Sequence, residues 1–405
     1  MVVQFLLGVR YVFLKIVTST LFRKRVVLDP KVIMVFRTCL LGDFLFAIPS
    51  LKILREQFPK AKLIFVTTHS GSKAIKNAAG KYVDNKVPLP WFNFIVPSIV
   101  DEVISIPSFS KKNLLDVKKR LKSINPDMFF LLPHPGETFK SILKKVIFFR
   151  LIGINKNLMG WKVKGDYGFF RKAQQNSGYF GHKIYGPIRA LEESSLIKKV
   201  AEKDIDFPVQ IAPKASNLIE TMVRDQNQEA LKICFSMGSI QKHKQWALDN
   251  FHEVSRYLDK TYSVSLFLVG TVNDLAISRK FNQEGFKNPV IDLIGKTDIN
   301  ELAALFKKMD LVISNDGGSA HLASAVGCKV VSIISGIEFP SSNDPWGNFK
   351  YSVYHKTVCS PCYSMTYCPE GHIACMRDLS VRSVIDKVNL AISDLQSGFL
   401  NIKNL

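Results

Sequence analysis

Cysteine is scarce in this chain, with seven in 405 residues. That is too few for a disulfide scaffold, and Cys39, Cys234 and Cys328 fall in or beside apolar strand-like runs, where small buried thiols are common. A reducing compartment is the simpler reading. Low-complexity sequence is missing, and 47% hydrophobic with 22% charged residues is the composition of a globular protein. No tandem repeat marks a solenoid. Acidic residues are short, 34 against 55 Lys and Arg, which leaves a net charge of +21 and a surface that attracts polyanions. The apolar opening lacks the small-residue cleavage site of a secretion signal. Because Arg10 and Lys15 interrupt it, it also lacks a charge-free run long enough to span a bilayer.

What the opening does have is helical periodicity. Gln4, Gly8, Tyr11, Lys15 and Ser19 fall on one side of a helix, Phe5, Leu6, Val9, Val12, Phe13, Ile16 and Val17 fill the rest, and Arg23, Lys24 and Arg25 follow. Residues 1–30 therefore read as an amphipathic extension lying in a membrane interface, its apolar arc at the headgroup boundary and its cations on anionic lipid. The alternative is that it packs on its own domain. A second basic stretch, residues 111–183, holds sixteen Lys or Arg against four acids (Asp116, Asp127, Glu137, Asp166). It is either a solvated surface or an anion-binding face.

The length suits two domains of roughly 150 to 200 residues each. Residues 32–36 form a β-branched run between Pro30 and a Gly-containing loop, the pattern of a buried parallel strand. A helix over about 43–57, kinked at Pro49, and a strand over 63–67 complete a βαβ unit. A basic helix over 112–123 and a strand over 129–132 come later. Around 200–230 the pattern is polar and poorly periodic. Strands then recur over 232–235, 264–269, 290–293, 311–314 and 330–334, with helices over 247–262, 300–308 and 319–326. Asp298 and Glu301 form a capping box at the second of these helices. Two βαβ series predict an α/β protein with two doubly wound Rossmann-like domains, residues 31–215 and 216–405, facing a central cleft. Ligands belong at the carboxyl ends of such strands.

Three segments occupy those ends. Arg37 to Asp43 (RTCLLGD) follows the first strand; its carboxylate can take a proton from a sugar hydroxyl or cap the helix, and spacing alone favours the cap. Ser236 to Trp246 (SMGSIQKHKQW) has small residues that let backbone approach a phosphate, with Lys242 and Lys244 as point charges. It lacks P-loop spacing, which speaks against an ATPase, and it can equally be a basic surface loop. Ser314 to His321 (SNDGGSAH) combines a tight Gly317-Gly318 turn, helix-start amides suited to a diphosphate, and His321 in the first helical turn.

In this order the segments resemble those of glycosyltransferase family 9, the ADP-heptose:lipopolysaccharide heptosyltransferases, over roughly residues 31–390. Arg37 to Pro49 is similar to the family's opening loop, Gly238 to Trp246 to its phosphate loop, and Asp316 to His321 to its Asp-Thr-Gly-x-x-His signature. The resemblance implies a GT-B fold and an inverting transfer with Asp43 as general base, which reverses the capping reading. It implies that Lys244 and Ser239 meet the donor diphosphate, that Asp316, Gly318 and His321 serve nucleotide and phosphate binding, and that Asp274 replaces a Glu that holds the ribose. Gly317 in place of Thr, and Ala247 in place of the Pro after Trp246, depart from the family pattern. If Lys244 and the helix starting near Ser319 absorb the charge of the leaving diphosphate, the reaction calls for no metal and no cofactor.

The expected protein is thus an enzyme that moves a sugar from a nucleoside diphosphate donor to an anionic glycolipid at the inner face of the cytoplasmic membrane. By the resemblance, the sugar is a heptose, the nucleotide ADP and the acceptor the lipopolysaccharide core. Arg37, His134 and Lys140 are the candidates for acceptor contacts. A GT-B nucleotide-sugar epimerase would use the same pocket without an acceptor. A non-enzymatic nucleic-acid binder would suit the charge, but no RNA- or DNA-binding motif and no interleaved basic and aromatic runs are present, so no nucleic acid is expected. Cys359, Cys362, Cys368 and Cys375, four thiols within seventeen residues, have the ligand chemistry of zinc, although the resemblance implies no metal there.

Overall fold

The computed structural model describes residues 16, 27–38, 40–68, 90–106, 114–121, 124–132, 137, 139–154, 157–159, 181–192, 194, 196–224, 227, 229–281, 285–288, 290–364 and 366–403. Apart from Ile16, the expected amphipathic helix lies outside them, as does Cys39. The chain divides into two compact units, the first running to Gln210 and the second beginning at Ile211.

In the first unit β1 (Val32–Phe36), β2 (Lys62–Thr68), β3 (Glu102–Ile106), β4 (Met128–Leu131) and β5 (Leu158–Met159) form a parallel sheet in the order β3-β2-β1-β4-β5. The last four residues of β1 are buried, which is why the strand is apolar without alternation. It pairs with β2 from Val32 opposite Lys62 to Phe36 opposite Val66, and with β4 from Ile33 opposite Met128 to Phe36 opposite Leu131. Aspartates hold the amino ends. Asp127 Oδ2 accepts from the N–H groups of Lys31 (2.8 Å) and Val32 (3.1 Å), and Asp101 Oδ2 accepts from that of Leu63 (2.7 Å). The single kinked helix expected over 43–57 is two helices, Leu41–Leu45 and Ile48–Gln57. Pro49 stands in the first turn of the second, where its missing N–H has no helical acceptor to lose; it opens a helix and kinks none.

In the second unit β6 (Leu231–Ser236), β7 (Val264–Val269), β8 (Ile291–Asp292), β9 (Leu311–Asn315), β10 (Lys329–Ile334) and β11 (Val353–Tyr354) form a parallel sheet in the order β11-β10-β9-β6-β7-β8. Asp310 repeats the amino-end device, accepting from the Lys232 N–H at 2.7 Å. The capping box on helix Ile299–Lys308 is present in full. Asp298 Oδ1 accepts from Asn300 and Glu301, and the Asp298 N–H donates to Glu301 Oε2. The helices beyond the expected elements include Pro213–Arg224 and Val381–Lys403. Pro213–Arg224, inside the stretch that reads as polar, buries Ala215, Ile219 and Val223, every fourth residue on a narrow stripe. Val381–Lys403 buries Val384, Val388, Ala391 and Ile392 against the core that also holds Phe235, Trp246 and Phe251.

Each sheet reverses its strand order once, between β1 and β4 in the first unit and between β6 and β9 in the second. Loops leaving the carboxyl ends at such a point run in opposite directions and open a crevice there. Among the described residues no helix is long and apolar enough to cross a membrane.

Candidate active site

The loops after β6 and β9 flank the reversal in the second unit. The first, from Met237 to Trp246, carries Lys244 in a short 3-10 turn, Lys242–Lys244. Lys244 is buried, and its Nζ donates to Asp316 Oδ2 at 2.8 Å. Asp316, just past β9 and also buried, is a hub. Its Oδ2 additionally accepts from Ser335 Oγ (3.3 Å) at the end of β10, and its Oδ1 accepts from Asn343 Nδ2 (3.1 Å). The segment carrying Asn343 is pinned by Asp344, which accepts from the Ser341 N–H (3.1 Å) and the Tyr354 hydroxyl. Burial pushes the Asp344 carboxyl above the usual carboxylate range, and the nearby Asp316 charge adds to the effect.

Ser239 is half-buried on the same loop. Its Oγ accepts from the Gln241 N–H at 3.3 Å, and its carbonyl accepts from Gln245 Nε2 at 2.8 Å. At Gly238 a Cβ would stand 2.7 Å from both carboxylate oxygens of Asp274, so a larger residue would displace that side chain. Asp274 Oδ2 accepts from the N–H (2.8 Å) and hydroxyl (2.9 Å) of Thr271 in the turn after β7. Helix Gly318–Ala325 starts directly after the Asp316 hub, with Ser319 half-buried and His321 buried in its first turn. At Gly317 a Cβ would meet only the Asn315 carbonyl, at 3.9 Å, so a larger residue has room.

In the first unit Asp43 is half-buried in the first turn of helix Leu41–Leu45. It is not the cap that spacing favours: the N-cap position is Leu40, and no side chain caps the helix. Arg37 is 1% exposed, its N–H donating to the Val66 carbonyl at 3.1 Å. Lys140 is exposed on helix Phe139–Leu151, and His134 lies outside the described residues. The residue that sequence reasoning missed is Lys145, on that same helix. Its Nζ pairs with the Glu137 carboxylate, both side chains 10% exposed or less, and lies 3.5 Å from Thr38 Oγ1. Ser141 Oγ donates to the same carboxylate oxygen at 2.5 Å. Burial lowers the pKa of Lys145, the Glu137 charge opposes this, and the Arg37 charge reinforces it.

Residues 193–373 match the family described as glycosyltransferase family 9 (heptosyltransferase). The chain is 24% identical over 349 residues to lipooligosaccharide heptosyltransferase 2 of Campylobacter jejuni, covering 86% of this chain and 94% of the relative. Among solved structures it is similar to a family 9 glycosyltransferase of Veillonella parvula, with a TM-score of 0.67 at 17% identity over 91% of this chain and 99% of that one. It is also similar to the ADP-heptose LPS heptosyltransferase II of E. coli, with a TM-score of 0.61 at 15% identity over 90% and 99% of the two chains. Residues 193–373 belong to glycosyltransferase family 9 by that match, and the relatives extend the likeness over most of the chain. The family match and the relatives make the chain a glycosyltransferase, and the solved structures give it the GT-B fold. The matched span holds the Lys244 loop and the Asp316 hub, while Asp43 precedes it.

The cysteine-rich segment of the glycosyltransferase follows β11. Cys359, Cys362, Cys368 and Cys375 are free and half-buried, and the Cys362 N–H donates to the Gly336 carbonyl at 3.1 Å. Burial raises the Cys375 thiol pKa, and the Gly336 backbone hydrogen bond opposes this. Among the described residues no group of three or more His, Cys, Asp or Glu side chains stands where it could hold a metal ion.

Proposed function

We propose that this glycosyltransferase moves a heptose from ADP-heptose to the core of a lipopolysaccharide or a related anionic glycolipid, with inversion at the anomeric carbon. The observation that carries the reading is the buried Lys244–Asp316 pair at the strand-order reversal of the second unit, directly before a helix start. A buried ammonium next to a helix start is suited to the charge that grows on a departing diphosphate. Asp43 takes the proton of the acceptor hydroxyl as its oxygen bonds the anomeric carbon; on the opposite face the bond to the diphosphate breaks and ADP leaves with the electron pair. Ser239, Ser319 and His321 line the same loops as phosphate contacts, and Asp274 stands at the end of β7 for the ribose. The names of the relatives support heptose, ADP and the glycolipid. Basic residues of the first unit, His134 and Lys140 among them, suit an anionic acceptor, whereas Arg37, 1% exposed, is buried and not open to one.

The test is incubation with ADP-, UDP-, GDP- and CMP-sugars, with and without a delipidated core oligosaccharide, read by mass spectrometry. The expected result is ADP release together with a heptose added to the oligosaccharide. Donor isomerised without acceptor would make the protein an epimerase. Residues 1–30 are proposed as the interfacial anchor that brings the enzyme to a lipid-borne acceptor. Deleting residues 1–25 should leave turnover of the soluble acceptor intact and abolish sedimentation with anionic vesicles; unfolding of the shortened chain, or unchanged sedimentation, would contradict the anchor.

A further inference from the structure

The loop that carries Lys244 leaves β6 at Met237 and ends at Trp246, and one side chain from the neighbouring strand holds both ends. Asn315, the last residue of β9 and 1% exposed, donates from Nδ2 to the Met237 carbonyl at 2.5 Å. Its Oδ1 accepts from the Trp246 N–H at 3.1 Å. A carbonyl only accepts and a backbone N–H only donates, so the partners themselves fix which way the amide points. Asp would offer no donor to Met237, and Leu would leave two buried backbone groups unmet. The Trp246 end is further rooted in the core: its indole N–H donates to the Leu379 carbonyl at 2.9 Å, and its ring packs edge-on against Phe251 at 5.1 Å. The next residue in the chain, Asp316, is the counter-ion of Lys244. Two adjacent side chains thus act on one loop, Asn315 on its stems and Asp316 on its ammonium.

We infer that Asn315 is a positioning residue for donor binding: its amide staples the two ends of the 237–246 loop and so sets where the Lys244 ammonium stands. The inference rests on the reading that Lys244 binds the donor diphosphate. Asn315 itself is committed to backbone at both ends of its amide and acts on the donor through Lys244. Its loss should therefore weaken a nucleoside diphosphate and spare the nucleoside.

The test is a double-mutant cycle in the full chain with Asn315→Ala, Lys244→Ala and the double variant. Binding of ADP and of adenosine is measured by calorimetry, and trypsin cleavage after Lys242 and Lys244 reports on the loop. Asn315→Ala should weaken ADP about tenfold or more while adenosine stays within about twofold of wild type. The double variant should bind ADP no more weakly than Lys244→Ala alone, because the staple then has nothing to place. Trypsin should cut the loop faster in Asn315→Ala. Asn315→Asp, which keeps the acceptor for Trp246 but sets a carboxylate against the Met237 carbonyl, should show the same losses and serves if the alanine variant does not fold. Wild-type ADP affinity in the Asn315 variants, losses that add in the double variant, equal loss of adenosine, or unchanged trypsin cleavage would overturn the inference. Lys244→Ala with undiminished ADP binding would instead remove the donor reading, while the trypsin arm would still report on the staple.

Discussion

At the strand-order reversal of the second unit the polar side chains are tied to one another. Lys244, Ser335 and Asn343 all donate to Asp316, and Asn315 closes the loop behind them. At the matching place in the first unit, past β1 and β4, the buried groups are Lys145 and Glu137, with Arg37 close enough to lower the lysine's pKa. The second unit thus presents a buried, hydrogen-bonded ion pair, Lys244 with Asp316. The first presents the Lys145–Glu137 pair with the Arg37 charge nearby, and Asp43 in the helix after β1. One topology thus surrounds two sets of charge, the Lys244–Asp316 pair and the Lys145–Glu137 pair. The family match, which spans residues 193–373, falls mainly on the first of these.

The comparison is best broken at Asp43. Asp43→Asn keeps size and helix position but cannot take a proton, so kcat should fall about 10²- to 10⁴-fold. Asp43 is not the helix cap, so the substitution removes no cap. Activity within a few-fold of wild type would return the carboxylate to a structural role.

Lys145 sharpens the contrast from the other side. Lys145→Ala leaves Glu137 buried without its cation, which should cost about 3 kcal/mol of stability in a denaturant titration. ADP affinity, a property of the second unit, should hold. A loss under about 1 kcal/mol would mean that the pair behaves as an exposed one. The smallest effect belongs to a residue remote from both reversals. Asp298→Ala removes the capping box and should cost about 1 kcal/mol with kcat and KM unchanged; a change in either constant would tie helix Ile299–Lys308 to the site.

Much of this was legible in the sequence because it is local. The β-branched run at 32–36 and the run at 264–269 coincide with β1 and β7, and the Asp298–Glu301 box lies within four residues of chain. What stayed hidden is what the sheets bring together. Lys244 and Asp316 are 72 positions apart, and Asn315 reaches back 78 positions to Met237, so neither pairing exists without the register of β6 on β9. Lys145 reads as one lysine among many in a basic stretch; only burial opposite Glu137 sets it apart. Helix Pro213–Arg224 escaped because its apolar stripe is narrow and its other faces are polar.

The central claim, that the second unit holds the donor and Asp43 of the first supplies the base, is tested most directly by titrating ADP into wild type, Asp43→Asn and Lys244→Ala side by side. The account predicts unchanged ADP affinity for Asp43→Asn and a loss of about 10- to 100-fold for Lys244→Ala. Equal affinities in all three, or a loss confined to Asp43→Asn, would contradict it.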